Sequence, residues 1–310
     1  MAAPTNTWIS TSGAGIGNRE DLSDVIYMIS PTETPFLSGI GKTKATNTLH
    51  EWTTDVLDAA ANNAQLEGDD AVAVPTLPGT RVANRTQISR KVVRLSGTQQ
   101  AMKSAGNLYT MAKQMSKQMA ALKRDMEWGL MQNTTRVDTG NRQSRGLEGW
   151  IASNNSLGAG GGAPNPGSNA APTDGTQRAF TEALLKTTLQ SIWNNGGKPD
   201  TIMVGGTQKQ AFSTFTAGFT QMGNADDSKL VATVDVYVSD FGTLKVVPNR
   251  FQRARTAFVL EMEKWAVAYL RSFDTVDLAK TGDSDAKQVV VEYTLEARNE
   301  ASSGAVRDLT

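Results

Sequence analysis

Residues 51–103 sort their charges into two consecutive blocks, a pattern that few folds accommodate. From 51 to 80 there are six acids (Glu51, Asp55, Asp58, Glu67, Asp69, Asp70) and no Lys or Arg; from 81 to 103 there are six bases (Arg81, Arg85, Arg90, Lys91, Arg94, Lys103) and no acid. An enzyme cleft focuses one sign of charge, whereas balanced blocks suit a projection that pairs with itself or with copies of itself. The residues read as a long β-hairpin: a strand over 49–57, a tip holding Gly68, Pro75, Pro78 and Gly79, and a return strand over 81–96. At ~3.3 Å per residue that return strand spans roughly 50 Å, far beyond the usual ~17–20 Å. Val82, Thr86, Ile88 and Val92 share a face with Asn84, Arg90 and Arg94, so the ribbon has little core of its own and needs a neighbour to lean on. Two readings of the charge blocks stay open. They neutralise each other across one ladder, or Glu67, Asp69 and Asp70 meet bases on an adjacent subunit.

The rest of the chain alternates helix and strand patterns. Residues 1–18 are polar and Gly-rich with Trp8 and Ile9 as the only sizeable apolar group, which predicts an arm that docks elsewhere. Leu22, Val25, Ile26 and Ile29 mark a short amphipathic helix that ends at Pro31. From Asn107, an N-cap candidate, Leu108, Met111, Met115, Met119, Leu122, Met126 and Leu130 recur every three or four residues and predict a helix of about 26 residues, its Met-rich stripe turned to a core. Residues 156–175 hold six glycines, three prolines and one charge, which predicts a loop without packing that tolerates shortening. Beyond it the pattern gives helices over 176–194 and 207–217, and strands over 201–204, 231–239, 243–247, 256–261, 265–272 and 288–297. The class is α+β.

Composition removes several chemistries. The 31 acids match the 31 bases, so no global field draws the chain onto nucleic acid or an anionic membrane. There is no cysteine, and His50 is the only histidine, which leaves no thiolate chemistry and no multi-histidine metal site. No apolar run approaches the ~18 residues of a membrane helix, and no basic and apolar leader opens the chain, so a soluble, unexported protein is expected.

The remaining motifs are weak. Gly39-Ile40-Gly41-Lys42-Thr43 has Phe36 where a phosphate loop requires Gly, and Gly13-Ala14-Gly15-Ile16-Gly17 lacks the spacing of a dinucleotide fingerprint. Asp226-Asp227 and Asp283/Asp285 lack the ligand series of a calcium loop and read as solvated turns. His50 reads as a strand residue. Neither a catalytic residue, nor a cofactor, nor a metal is expected.

In order of elements, and in two groups of local motifs, the chain resembles the major capsid proteins of tailed bacteriophages, which have the Hong Kong 97-like fold. The motifs are Arg19-Glu20-Asp21-Leu22-Ser23-Asp24-Val25-Ile26 with Ser30-Pro31, Thr34-Pro35-Phe36, Asn47-Thr48, His50-Glu51-Trp52 and Asp55, and then Arg145-Gly146-Leu147-Glu148-Gly149-Trp150-Ile151. The resemblance implies an N-terminal arm (1–18), a short helix and turn (19–46), an extended loop (47–103) and a peripheral domain with its spine helix (104–155). After the Gly-rich loop (156–175) it implies an axial domain (176–270) and C-terminal strands that return to the peripheral domain (271–310).

It further implies a structural, non-enzymatic subunit that self-assembles through hexamers and pentamers into an icosahedral virion head enclosing double-stranded DNA without reading its sequence. Portal and scaffolding partners, and decoration proteins, belong to that picture, with assembly in the host cytoplasm. Intersubunit contacts are then expected at Trp8, Ile9, Glu67, Asp69, Asp70, Arg81, Arg85, Arg90, Lys91 and Arg94. Some relatives weld neighbouring subunits through a lysine in the extended loop; between Lys44 and Lys91 this chain has none. The alternatives are a cellular nanocompartment shell of the same fold, and a metal-dependent hydrolase built on the acidic loops.

Overall fold

The structure is a computed structural model that describes residues 32–57, 60–68, 70, 78–102, 110–215 and 236–310. Trp8, Ile9, the helix expected over 22–29, Asp69, Lys103, Asn107 and Asp226-Asp227 lie outside the described residues.

The chain opens with a helical turn, α1 (Pro35–Gly39), and a strand, β1 (Gly41–Lys44). Then come β2 (Leu49–Thr54), β3 (Thr80–Arg85), β4 (Gln87–Ser96), a short α2 (Gly97–Ala101) and the long α3 (Met111–Gln132). A turn of helix, α4 (Leu147–Trp150), leads through β5 (Asn154–Ser156) to α5 (Glu182–Asn194), β6 (Thr201–Val204) and α6 (Gly206–Phe215). The remainder is strands: β7 (Val236–Ser239), β8 (Gly242–Pro248), β9 (Ala257–Leu260), β10 (Trp265–Leu278), β11 (Ser284–Ala297) and β12 (Gly304–Val306).

These strands make three sheets: a four-stranded sheet in the order β1-β10-β11-β4, a six-stranded sheet in the order β5-β12-β9-β6-β8-β7, and the two-stranded ribbon β2-β3. On α3, Met115, Leu122, Met126, Leu130 and Met131 are buried, and they pack with Val289, Val291, Tyr293 and Leu295 of β11 in one core. The methionine stripe is therefore core. Strand alternation divides the six-stranded sheet between two cores: Met203, Phe258 and Leu260 face the core of α3, while Ile202, Val204 and Val259 face a second core with Leu185, Leu189 and Ile192 of α5 and Phe212 of α6.

Several expectations need correction. The return strand expected over 81–96 is two strands with different partners: β3 pairs with β2, and β4 pairs antiparallel with β11 from Gln87↔Tyr293 to Ser96↔Ser284. The switch falls at Thr86, which is buried; its hydroxyl donates to Glu292 Oε1 at 2.8 Å, and its N–H donates to the Thr48 carbonyl at 2.9 Å. Two residues earlier, the buried Asn84 amide donates to the carbonyls of Leu295 and Arg145. Pinned there, the chain trades a thin ribbon for the valine-rich free side of β11, so Arg90, Lys91 and Arg94 lie on the body and not on the ribbon.

Other differences are local. α3 begins at Met111 behind an extended Thr110, after the expected N-cap position, and spans 22 residues rather than about 26. The helix expected from 176 starts at Glu182. The strand of Gly41–Lys44 lies parallel to β10, which leaves no phosphate-binding loop at that motif. Of residues 271–310, β11 belongs to the four-stranded sheet, whereas β12 inserts between β5 and β9 in the six-stranded one.

The Gly-rich segment is also not an unpacked loop. Asp308, with φ of 59°, accepts from the N–H of Gly158 at 2.9 Å and of Gly175 at 2.7 Å. A Cβ on Gly175 would lie 2.6 Å from the Gly161 nitrogen, so glycine here permits close backbone approach. Asn169 accepts from Arg136 N–H at 2.9 Å and donates to the Arg136 carbonyl at 2.7 Å, seating the loop on the body.

Candidate intersubunit surfaces

The ribbon belongs to neither large sheet, and its root is fastened by aromatic rings. His50 and Trp52 sit two residues apart on β2, so they share a face; their ring centroids are 5.6 Å apart, and Trp52 lies 5.5 Å from Trp150 of α4. The Trp52 indole donates to the Ala297 carbonyl at 2.7 Å, and the Arg145 guanidinium stands 5.2 Å from the Trp150 ring. Burial, reinforced by the Arg136 charge nearby, lowers the Arg145 pKa to about 10.

At the other end of this stack, His50 Nε2 lies 3.0 Å from Glu296 Oε2, and Glu296 also accepts from Thr43 at 2.9 Å and Arg298 at 3.1 Å. The His50 hydrogen bond above all, with those of Thr43 and Arg298, holds the Glu296 carboxyl down to about 2. His50 is thus an anchor in a strand.

A second joint holds the chain entering at α1. Glu127 on α3 is fully buried and accepts from the N–H groups of Phe36 at 2.9 Å and Leu37 at 2.7 Å, and from the Asn249 amide at 2.6 Å. Burial raises its pKa against the pull of these three donors.

The sequence-predicted contact residues divide by location. Glu67 and Asp70 lie exposed near the ribbon tip. Arg81 reaches Glu51 across the ribbon at 2.7 Å, while Arg85 and Arg136 converge on Asp138 at 2.9 and 3.0 Å. Lys91 pairs with Asp125 of α3 at 2.6 Å. Arg90 and Arg94 point to the opposite face of β4, exposed, with no ion pair among the described residues. Part of the charge sorting is therefore neutralised inside the chain, while Arg90 and Arg94 stand exposed without an ion pair among the described residues.

Sequence reasoning missed three surface features. Val56, Leu57 and Leu66 stand exposed at the acidic end of the ribbon. Trp193 and Phe241 form an exposed pair with centroids 5.6 Å apart, and Val236 and Val238 are exposed on the edge strand β7. An alternating pattern such as Val236 and Val238 signals a face, but not whether anything covers it.

Among the described residues no three His, Asp or Glu side chains gather as metal ligands, and no helix is long and apolar enough to cross a membrane. Asp285 is paired with Lys280 at 2.6 Å, and the Asp283 carbonyl accepts from Gly97 N–H at 3.1 Å.

Comparison with known proteins gives a consistent picture. Residues 4–310 match the model of the family described as SU10 major capsid protein. The major capsid protein of Escherichia phage Phieco32 is 25% identical over 331 residues, covering 94% of each chain. Among solved structures, the fold is similar to a chain of the cyanophage A-1(L) capsid asymmetric unit, with a TM-score of 0.66, 13% identity, and coverage of 94% of this chain and 97% of that one. A chain from Gordonia phage Cozz gives a TM-score of 0.64 at 10% identity over 99% and 96%. A chain from the capsid of a native GTA particle gives 0.59 at 13% identity over 99% and 100%.

Proposed function

The chain belongs to the SU10 major capsid protein family and is a structural subunit of a phage capsid shell with the Hong Kong 97-like fold, and from that premise we propose that its work is wholly geometric: copies close into a head around double-stranded DNA without any chemical step. The ribbon carries this reading. Its two strands form a sheet of their own, joined to neither large sheet, and beside them Val56, Leu57 and Leu66 stand exposed, covered by none of the described residues.

In this reading the β2-β3 ribbon is the extended loop, α3 with the four-stranded sheet is the peripheral unit, and the six-stranded sheet with α5 and α6 is the axial unit at the centre of hexamers and pentamers. The balance of 31 acids and 31 bases suits a wall that encloses DNA without gripping its phosphates. Trp8 and Ile9 of the arm dock on a neighbouring subunit, and portal, scaffolding and decoration proteins complete the particle.

Electron microscopy of the purified chain, followed by nuclease-protection analysis of particles from infected cells, tests the proposal. Closed shells that protect DNA are expected. Failure to form particles under any assembly condition would overturn it, and shells holding protein cargo in place of DNA would favour a nanocompartment.

A further inference from the structure

The two strands of the ribbon are tied to the body by different chemistry. On the β3 side the Asn84 amide donates to the carbonyls of Leu295 and Arg145, Arg136 donates to the Ala83 carbonyl at 3.1 Å, and Arg85 meets Asp138 at 2.9 Å. Arginine keeps its charge at any ordinary pH, and the Arg85 hydrogen bond above all holds the Asp138 carboxyl below its usual range, so these ties do not change near neutrality. On the β2 side stand the Trp52 indole on the Ala297 carbonyl and the pair of His50 with Glu296. Histidine is the side chain that ordinarily changes charge between about pH 5 and 8, and His50 is the only one in the chain.

The surroundings of the pair put the change on the imidazole. Both side chains are largely withdrawn from water, 15% exposed for His50 and 11% for Glu296. On Glu296, Oε2 takes His50 and the Thr43 hydroxyl of β1, while Oε1 takes Arg298, whose guanidinium also reaches the Glu263 carbonyl at 3.3 Å. Held down to about 2, the carboxyl stays ionised throughout the neutral range. Strand alternation turns Lys42 and Lys44 to the face of β1 opposite Thr43, and turns Glu51 to the other face of β2, where it meets Arg81. Across the ribbon His50 registers with the neutral Asn84, and on its own face lies Trp52, backed by Trp150 and Arg145. His50 therefore faces one carboxylate, which it shares with Arg298.

We propose that His50 is a proton-operated clasp at the root of the ribbon: protonated, it ties β2 to the end of β11 through Glu296; neutral, it loosens that tie. A charge-assisted hydrogen bond is roughly twice as strong as a neutral one, so the tie is full at the acid end of the range and weakens as pH rises through the imidazole's titration. Asn84 and Thr86 do not titrate. Proton loss accordingly relaxes the β2 side alone, and the ribbon pivots on its β3 side without detaching. The clasp belongs to the single subunit and holds whether or not shells form.

With one histidine, isotope-labelled imidazole in the full chain gives a single magnetic-resonance signal that reports its protonation. On the same protein, the rate of proteolytic cleavage within residues 55–79 is followed between about pH 5 and 8 and divided at each pH by the rate for His50→Gln, which cancels the protease's own pH dependence. The ratio should rise about fivefold from the acid to the basic end, along the imidazole's titration curve. Glu296→Gln, which keeps an acceptor but removes the charge, should flatten that rise. A ratio that stays level while the imidazole titrates, or an imidazole that holds one charge state throughout, overturns the clasp; so does an undiminished rise in Glu296→Gln. Should Glu296→Gln fail to fold, the ratio and the imidazole signal decide alone.

Discussion

Nη1 of Arg307 lies 2.7 Å from Oε1 of Glu148, with both side chains almost wholly out of water. The guanidinium also donates to the Glu148 carbonyl at 2.9 Å and to Asn155 Oδ1 at 2.7 Å, joining the last residues of the chain to α4 and β5. Without Arg307, Glu148 keeps only the longer contacts of Arg253 at 3.4 Å and Thr256 at 3.3 Å. Arg307→Ala should lower the unfolding free energy of the unassembled subunit by about 3–5 kcal/mol. Urea denaturation followed by circular dichroism measures this, and an unchanged midpoint would show the pair to be dispensable.

The Glu296 carboxyl, held at about 2 against an ordinary value of 4.5, makes the ribbon's root acid-sensitive. Between those two pH values the unfolded chain binds the proton that the folded chain refuses, so stability present above the ordinary value is lost as pH falls through about 2. His50→Ala removes the largest cause of the shift. Its stability profile should be flatter in that window, with a difference on the order of 2 kcal/mol at neutral pH. Parallel pH titrations of unfolding free energy would reject the idea if the two slopes coincide.

Trp52 fixes the ribbon through ring contacts and one hydrogen bond, so Trp52→Ala should free the ribbon before it melts the body. Proteolysis within the ribbon should accelerate on the order of tenfold while the main thermal transition moves little, as for a locally opening unit. A large drop of the main transition with unchanged cleavage would place Trp52 in the global core instead.

The Gly-rich segment should resist alteration. Gly175→Ala forces a Cβ toward the Gly161 backbone, and Asn169→Ala leaves Arg136 backbone groups without their partners. Each should cost about 1–3 kcal/mol, and shortening the segment should reduce soluble yield. Variants that melt with the parent would restore the view of a free loop.

What was legible in the sequence was periodicity. The stripe through Met115, Leu122, Met126 and Leu130 marks α3 because helical spacing and core burial coincide there. The alternating and buried runs of β10 and β11 were visible too, though both strands extend beyond the expected bounds. Pairing was not legible: nothing in the period-two pattern of residues 81–96 says that β3 follows β2 while β4 follows β11, since that choice depends on Glu292 and Leu295, some two hundred positions away. The loop over 156–175 misled for a related reason. A shortage of side chains predicts no packing, but its backbone N–H groups bond to Asp308, and main-chain donors leave no mark in composition.

The partner switch at Thr86 has a mechanical consequence. The backbone runs from β3 straight into β4, which is laddered to β11 over ten residue pairs. A pull along the axis of β4 would run lengthwise to that ladder and across its hydrogen bonds, loading the bonds together in shear and not unzipping them one at a time. The joint where the chain changes partner thus couples the ribbon to the body through a ladder suited to bearing tension.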